Sequence, residues 1–215
     1  MKKWNKKQFL ISSIVIFLPM IVGFLMYNRL PDRLTTHWGA SGEADGTMGK
    51  FAAITVVPAL IFVMHLFCLF MTHLDPKTET QSEKALLIVY WAMPVTSLFA
   101  GCMVLGSAMV KALNAMSALS LFLGILFILM GNYLPKCKQN SVLGIRLPWT
   151  LIDEENWRKT HRLGGYAFII GGIVLTLCAF LPAGYQFFAL IAVMLITTIV
   201  IAAYSHRLHK EKQRP

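Results

Sequence analysis

Six stretches without a single Asp, Glu, Lys or Arg follow one another along this chain: Phe9 to Tyr27, Phe51 to Met71, Ala85 to about Gly106, about Ser117 to Leu134, Gly164 to Leu181 and Phe187 to Tyr204. Each is long enough for a bilayer core, which takes about 20 apolar residues per helix. Lipid offers the backbone no hydrogen-bond partners, so runs of this kind become helices. A membrane β-barrel would show alternating segments of about ten residues instead, and none is present. The pattern predicts an all-α polytopic membrane protein with six transmembrane helices. The first run is too long, and too lacking in a small-residue cleavage site, for a removable signal peptide. Pro19, Pro58 and Pro94 fall inside runs, where each removes a backbone bond and can kink its helix.

Composition agrees: 56% of residues are hydrophobic and 14% charged, against roughly 25% charged in ordinary globular proteins. Charge placement adds an orientation. With the N-terminus inside, the cytoplasmic segments hold Lys2, Lys3, Lys6, Lys7, Lys77, Lys84, Lys136, Lys138, Arg146, Arg158, Lys159, Arg162, Arg207, Lys210, Lys212 and Arg214. The outer segments hold Arg29, Arg33, Lys50 and Lys111. Sixteen bases against four is a positive-inside signal that places both termini in the cytoplasm. The net charge of +10 therefore calls for anionic lipid as a partner and for no direct contact with nucleic acid.

The layout suggests a two-span N-terminal unit, residues 1–84, with an extracellular loop at 30–50. A four-span unit, residues 85–215, would follow with a cytoplasmic loop at 135–163. The joint "THLDPKTETQSEKA" is hydrophilic, and Ser82 in it reads as a helix start. Cys68, Cys102 and Cys178 lie in spans and Cys137 in a loop. No CxxC pattern occurs, so all four read as small apolar core residues.

Chemistry within the membrane is sparse. His65 is the one ionisable side chain near the middle of a span, cysteine aside, and so an intramembrane candidate for a ligand or proton contact. A neutral imidazole bonded to a neighbouring helix explains it as well. His65, Cys68 and His73 resemble a soft-metal set only loosely, and no metal or cofactor is expected. Spans free of carboxylates and bases argue against ion-coupled transport. No paired carboxylates, HExxH or GxSxG motif point to an enzyme.

The outer loop "LPDRLTTHWGASGEADGTMGKF" has glycines that let it fold tightly, and Asp45-Gly46 reads as the turn of a small hairpin. His37, Trp38, Gly42, Glu43 and Asp45 form a candidate site for a ligand arriving from outside. A compact cap, with Asp45 bonding its own turn and Trp38 at the headgroups, is the alternative.

The loop "GNYLPKCKQNSVLGIRLPWTLIDEENWRKTHRLGG" is denser still. Pro135 and Pro148 break helices. Thr150 can cap a new one with Asp153 as its capping-box partner. Asp153, Glu154 and Glu155 then fill the first turn, Arg158, Lys159 and Arg162 the last, and Gly164 supplies the stop. Trp157 and His161 share one face. An interfacial helix with Trp157 in the headgroups fits; so does a docking surface, or an anion site at Arg146 and Lys138.

Gly131, Asn132, Asn140, Gly144, Ile145, Arg146, Pro148, Trp149, Thr150, Leu151, Trp157, His161 and Gly164 together resemble the signature of the SdpI family of bacterial membrane immunity proteins. Leu147 departs from it, since the family usually has Thr there. Pro31, His37, Gly42, Asp45 and Lys50 resemble the small domain of unknown function that often heads these proteins. The resemblance implies a plasma-membrane protein of Gram-positive type that protects its producer from a secreted, membrane-depolarising peptide toxin. It also implies a signalling receptor that holds a transcriptional repressor at the cytoplasmic face. On that reading Asn132, Asn140, Gly144, Arg146, Pro148, Trp149, Thr150, Trp157 and His161 form the cytoplasmic docking or coupling element. A small transporter or lipid-handling protein using His65 is the alternative.

Overall fold

The computed structural model describes residues 5–81, 83–110 and 114–213, with Thr80 and Lys84 described by their backbone only. Lys2, Lys3, Lys111 and Arg214 in the charge split, and Ser82 at the expected helix start, lie outside the described residues. Among the described residues six helices are long and apolar enough to cross a membrane, and the chain is a multi-pass membrane protein. They are α1 (Lys6–Leu25), α2 (Lys50–Leu74), α3 (Glu83–Met109), α4 (Ala115–Tyr133), α6 (Glu154–Cys178) and α7 (Ala183–Lys212). The short α5 (Pro148–Ile152) precedes α6. Large apolar side chains such as Leu60, Phe70, Ile170 and Ile199 are exposed along the helices, which suits a surface solvated by acyl chains.

Contacts divide the chain into two compact units. The boundary differs from the one drawn at residue 84: α3 packs with α1 and α2, while Asp75–Ala85 belongs with the residues from Met116 on. In the first unit Asn5 caps α1 by accepting from the Gln8 N–H at 3.1 Å. Ser97 on α3 donates to the Ile16 carbonyl of α1 at 2.7 Å, a bond that binds α3 to its unit. Two antiparallel strands, β1 (Arg33–Trp38) and β2 (Ala44–Gly49), form a hairpin, and α2 begins at the very next residue. Leu34 of β1 is buried with Leu30, Ala53, Ile54 and Val104. One face of the hairpin is therefore seated on apolar helix ends, which sets its register.

The second unit depends on close backbone contact. A Cβ on Gly131 of α4 would stand 2.6 Å from the Gly165 carbonyl oxygen of α6, and one on Gly172 would stand 2.5 Å from that of Gly124. Only glycine permits this approach, and tight van der Waals packing is what drives helix association where lipid removes the hydrophobic term. At the far end of α6, Gln186 of α7 is fully buried. Its amide donates to the carbonyls of Ala179 at 3.2 Å and Leu181 at 2.5 Å, and it accepts from the Ser120 hydroxyl at 3.3 Å. The carbonyls left open by the end of α6 are satisfied by a side chain from the next helix.

Two local expectations are corrected. The helix after Pro148 does not start at Thr150 and stop at Gly164. α5 is a separate turn, Asp153 caps α6 by accepting from Glu155 and Asn156 N–H groups at 3.0 and 3.2 Å, and α6 runs on through Gly164 to Cys178. Gly164 is buried where a Cβ would collide with the Ile145 side chain; close packing, not termination, requires glycine there. The cysteines are not core residues: Cys102 is exposed and the other three half-buried.

Candidate functional site

The hairpin presents its polar residues at one end. The Gly39 N–H donates to the Glu43 carbonyl and the Gly42 N–H to the Gly39 carbonyl, both at 2.9 Å, with Gly42 at φ +81°. The turn is thus Gly39 to Glu43. Asp45-Gly46 lies in β2 instead of forming the turn, with Gly46 opposite His37, Ala44 opposite Trp38 and Asp45 at the irregularity between them, because the bend closes on the glycine that can adopt positive φ. That register sets the Asp45 carboxylate against His37 Nδ1 at 2.5 Å, both side chains exposed. Trp38 is half-buried beside them, and Glu43 contributes its backbone carbonyl. Four of the five expected residues therefore sit around one turn with Gly42 as its pivot.

His65 is fully buried. Its Nε2 lies 3.0 Å from the Ser12 hydroxyl of α1, which is also 3.0 Å from the Phe9 carbonyl. Phe9 stacks parallel to the imidazole at 6.4 Å. Nδ1 of His65 is buried with no hydrogen-bond partner among the described residues.

The densest polar construction surrounds residues 137–161. Asn140, nearly fully buried, accepts from the Val142 and Leu143 N–H groups at 2.8 and 2.6 Å. Its amide donates to the Lys138 and Leu143 carbonyls at 2.8 and 3.1 Å. Gly144 follows at φ +102°, which turns the chain so that the Ile145 N–H donates to His161 Nε2 at 2.9 Å. A Cβ on Gly144 would meet that nitrogen. His161 Nδ1 in turn lies 2.8 Å from the Trp157 carbonyl, and the two rings stack at 3.9 Å. Trp157 is 2% exposed and donates to the Cys137 carbonyl at 2.9 Å. It is a packed anchor, not a headgroup residue, which corrects that expectation.

Thr150 closes the next turn, accepting from the Leu147 N–H at 2.9 Å. Trp149 Nε1 donates to the Ser205 hydroxyl of α7 at 2.7 Å. Ser205 donates to Asn156 Oδ1 at 2.7 Å, and Thr160 donates to the same oxygen at 2.9 Å. Pro148 is exposed at the first position of α5, where its missing N–H is not needed. Arg146 is exposed, with Nη1 donating to the Ser141 carbonyl at 2.8 Å. Asn132 is exposed on α4 and takes no part in this network. Burial alone raises the Cys137 thiol above its ordinary range. Chiefly the hydrogen bond from Lys212, helped by the Asn156 and Glu155 N–H groups, holds the Asp153 carboxyl below its ordinary range.

A further layer was not anticipated from the sequence. Asp75 is 7% exposed and Gln81 3% exposed. Asp75 accepts from Ser141 N–H at 2.7 Å and Lys77 N–H at 2.9 Å. Gln81 donates to the Lys138 carbonyl at 3.0 Å and accepts from the Lys138 N–H at 3.2 Å. The segment Asp75–Gln81 is a strap clipped to the backbone of residues 138–141. Asp75 also caps the 3-10 turn that follows it; the clip itself is long-range and left no local trace. No group of three or more His, Cys, Asp or Glu able to hold a metal occurs among the described residues.

Fold and site together define a polytopic membrane protein with two folded polar elements, a hairpin between its first two spans and a hydrogen-bonded loop between its fourth and fifth. Residues 136–205 match the SdpI/YfhL protein family, and residues 14–62 match a domain of unknown function, DUF1648. The chain thus carries a segment similar to the SdpI family, with that domain ahead of it. It is similar to the immunity protein SdpI of Bacillus subtilis (strain 168), with 24% identity over 208 residues, 95% of this chain and 97% of that protein. No solved structure matches the chain.

Proposed function

We propose that this chain is an integral-membrane immunity protein that protects the cell producing it from a secreted peptide toxin that depolarises membranes. The observation that carries the reading is the end-to-end similarity to a protein named for immunity, across 95% of this chain. The charge split supports an arrangement with both termini in the cytoplasm. The His37–Asp45 hairpin then faces the outside and meets the peptide, and the loop around Arg146 and His161 faces inward. In that arrangement the inner loop is also the place where a transcriptional repressor is held when toxin binds outside. Binding outside can change the inner face only if the toxin favours one of two coupled conformations. The reading assigns no reaction to the chain.

The test uses the chain's own host. A strain lacking the gene, exposed to the secreted peptide fraction of the parent, is expected to lose viability and to recover it when the chain is expressed. Equal survival with and without the chain overturns the reading. A second reading, a small transporter or lipid-handling protein, is favoured by one observation, the buried Nδ1 of His65, which has no hydrogen-bond partner among the described residues. It predicts that His65→Ala abolishes protection while Arg146→Ala and Trp149→Ala leave it intact.

A further inference from the structure

The depth of α5 in the membrane follows from one bond. Phe187 to Tyr204 is an apolar run of 18 residues, about 27 Å at 1.5 Å per residue, close to the roughly 30 Å of a hydrocarbon core. Ser205, the first polar residue beyond that run, therefore marks the edge of the core. Trp149 Nε1 is bonded to Ser205 at 2.7 Å, and the Trp149 ring lies against His206 and His209 with centroids 5.1 and 5.9 Å away. Asn156 of α6 also bonds the Ser205 carbonyl, at 2.9 Å. The turn Pro148–Ile152 is thus held at headgroup level beside α7, not above the membrane.

At that level the turn exposes apolar surface: Ile152 is 80% and Leu151 38% exposed. The carboxylates nearby are largely engaged. Asp153 and Glu155 share Lys212 at 2.9 and 2.8 Å, Glu155 also pairs with Lys159, and Glu211 pairs with Arg207. Glu154 is the exposed exception. Arg146, Arg158, Arg162 and Lys210 are exposed bases with no ion pair among the described residues. Apolar side chains at the edge of the acyl region, in a unit whose exposed bases Arg146, Arg158, Arg162 and Lys210 have no ion pair among the described residues, match the chemistry of an anionic lipid surface.

We infer that the Pro148–Ile152 turn is a membrane-surface foot: Leu151 and Ile152 enter the headgroup–acyl boundary, and Arg146, Arg158, Arg162 and Lys210 take the phosphates of anionic lipids. The inference is independent of toxin recognition. It gives the Arg146 guanidinium, whose Nη1 already donates to the Ser141 carbonyl, an anionic ligand on its exposed side. Each base near an anionic surface contributes on the order of a fivefold preference for it.

The experiment uses the full-length chain with its four native cysteines replaced by Ala and a nitroxide on Ile152→Cys. It is reconstituted in vesicles of phosphatidylglycerol with phosphatidylcholine, or of phosphatidylcholine alone. A label on Leu195→Cys, an exposed position of α7, reports that each sample is inserted. In the anionic vesicles the label at 152 is expected to be accessible to oxygen and shielded from a water-soluble nickel chelate. The shielding is expected to weaken several-fold in pure phosphatidylcholine, at high salt, and in Arg146→Ala/Arg158→Ala/Arg162→Ala. A label at 152 open to the nickel chelate in both lipids overturns the inference and leaves the patch as a protein-docking surface. Equal shielding in both lipids overturns it as well, because the bases then select nothing.

Discussion

His161 Nε2 accepts the Ile145 N–H at 2.9 Å while its Nδ1 faces the Trp157 carbonyl at 2.8 Å. The two contacts require a neutral ring with the proton on Nδ1. They join the Gly-Ile-Arg turn to the first turns of α6 through a single side chain. The signature residues are mostly spent on this construction, with Asn140, Thr150 and Trp157 each bonded to a specific backbone group and Gly144 supplying the positive-φ turn.

Replacing His161 by Leu keeps bulk and removes both bonds. The part-buried Ile145 N–H loses its acceptor, so a loss of about 1 kcal/mol is expected. Thermal unfolding in detergent measures it. Gly144→Ala is expected to lose at least as much, since it adds both a positive-φ strain and a collision with the His161 ring. An unchanged midpoint for both variants contradicts the cradle.

The carbonyl contacts between α4 and α6 make Gly131 and Gly165 sensitive to a single methyl. Gly131→Ala is expected to lower the melting temperature and to increase cleavage in the 134–147 loop by added protease. Gly184→Ala, where a Cβ meets nothing within 4 Å, is the control expected to change neither.

The strap predicts a paired effect. Asp75→Ala removes the acceptors of the Ser141 and Lys77 N–H groups, and Gln81→Ala removes both bonds to Lys138. Amide hydrogen exchange at residues 138–141 is expected to accelerate in either variant, and to leave the hairpin amides at 33–49 unchanged. Protection of 138–141 in both variants contradicts the clip.

How much of this was legible in the sequence follows from the range of each interaction. The six spans could be read because the bilayer acts on every residue of a run, so the signal accumulates. The hairpin was legible, but its turn was misplaced: Asp45-Gly46 and Gly39 to Glu43 both offer turn chemistry, and the seating of Leu34 in the apolar cluster chooses between them. Thr150 and Asp153 are both capping types, and Pro148 decided the matter by starting a separate turn. Gly164 read as a stop because glycine ends helices more visibly than it packs them. The strap, Gln186 and the Asn156–Thr160–Ser205 network are contacts between distant residues, and nothing local marks them.

The Asp153 carboxyl is held below its ordinary range chiefly by the hydrogen bond from Lys212. A depressed folded value adds stability that is present above the unfolded value, near 3.9, and is lost as pH falls through the folded value. Stability is therefore expected to be flat in this respect from about pH 5 upward and to fall only at strongly acid pH. Lys212→Ala is expected to flatten part of that acid limb. The Cys137 thiol, raised by burial, is expected to react with iodoacetamide more slowly at neutral pH than a free thiol, because the thiolate is the nucleophile.

Membrane potential in the chain's own host tests the central claim most directly. Cells lacking the gene, loaded with a potential-sensitive dye and treated with the parent strain's secreted peptide fraction, are expected to depolarise. Cells expressing the chain are expected to hold their potential, and cells expressing His37→Ala/Asp45→Ala at the same membrane level to lose it. Depolarisation to the same extent with and without the chain contradicts the account.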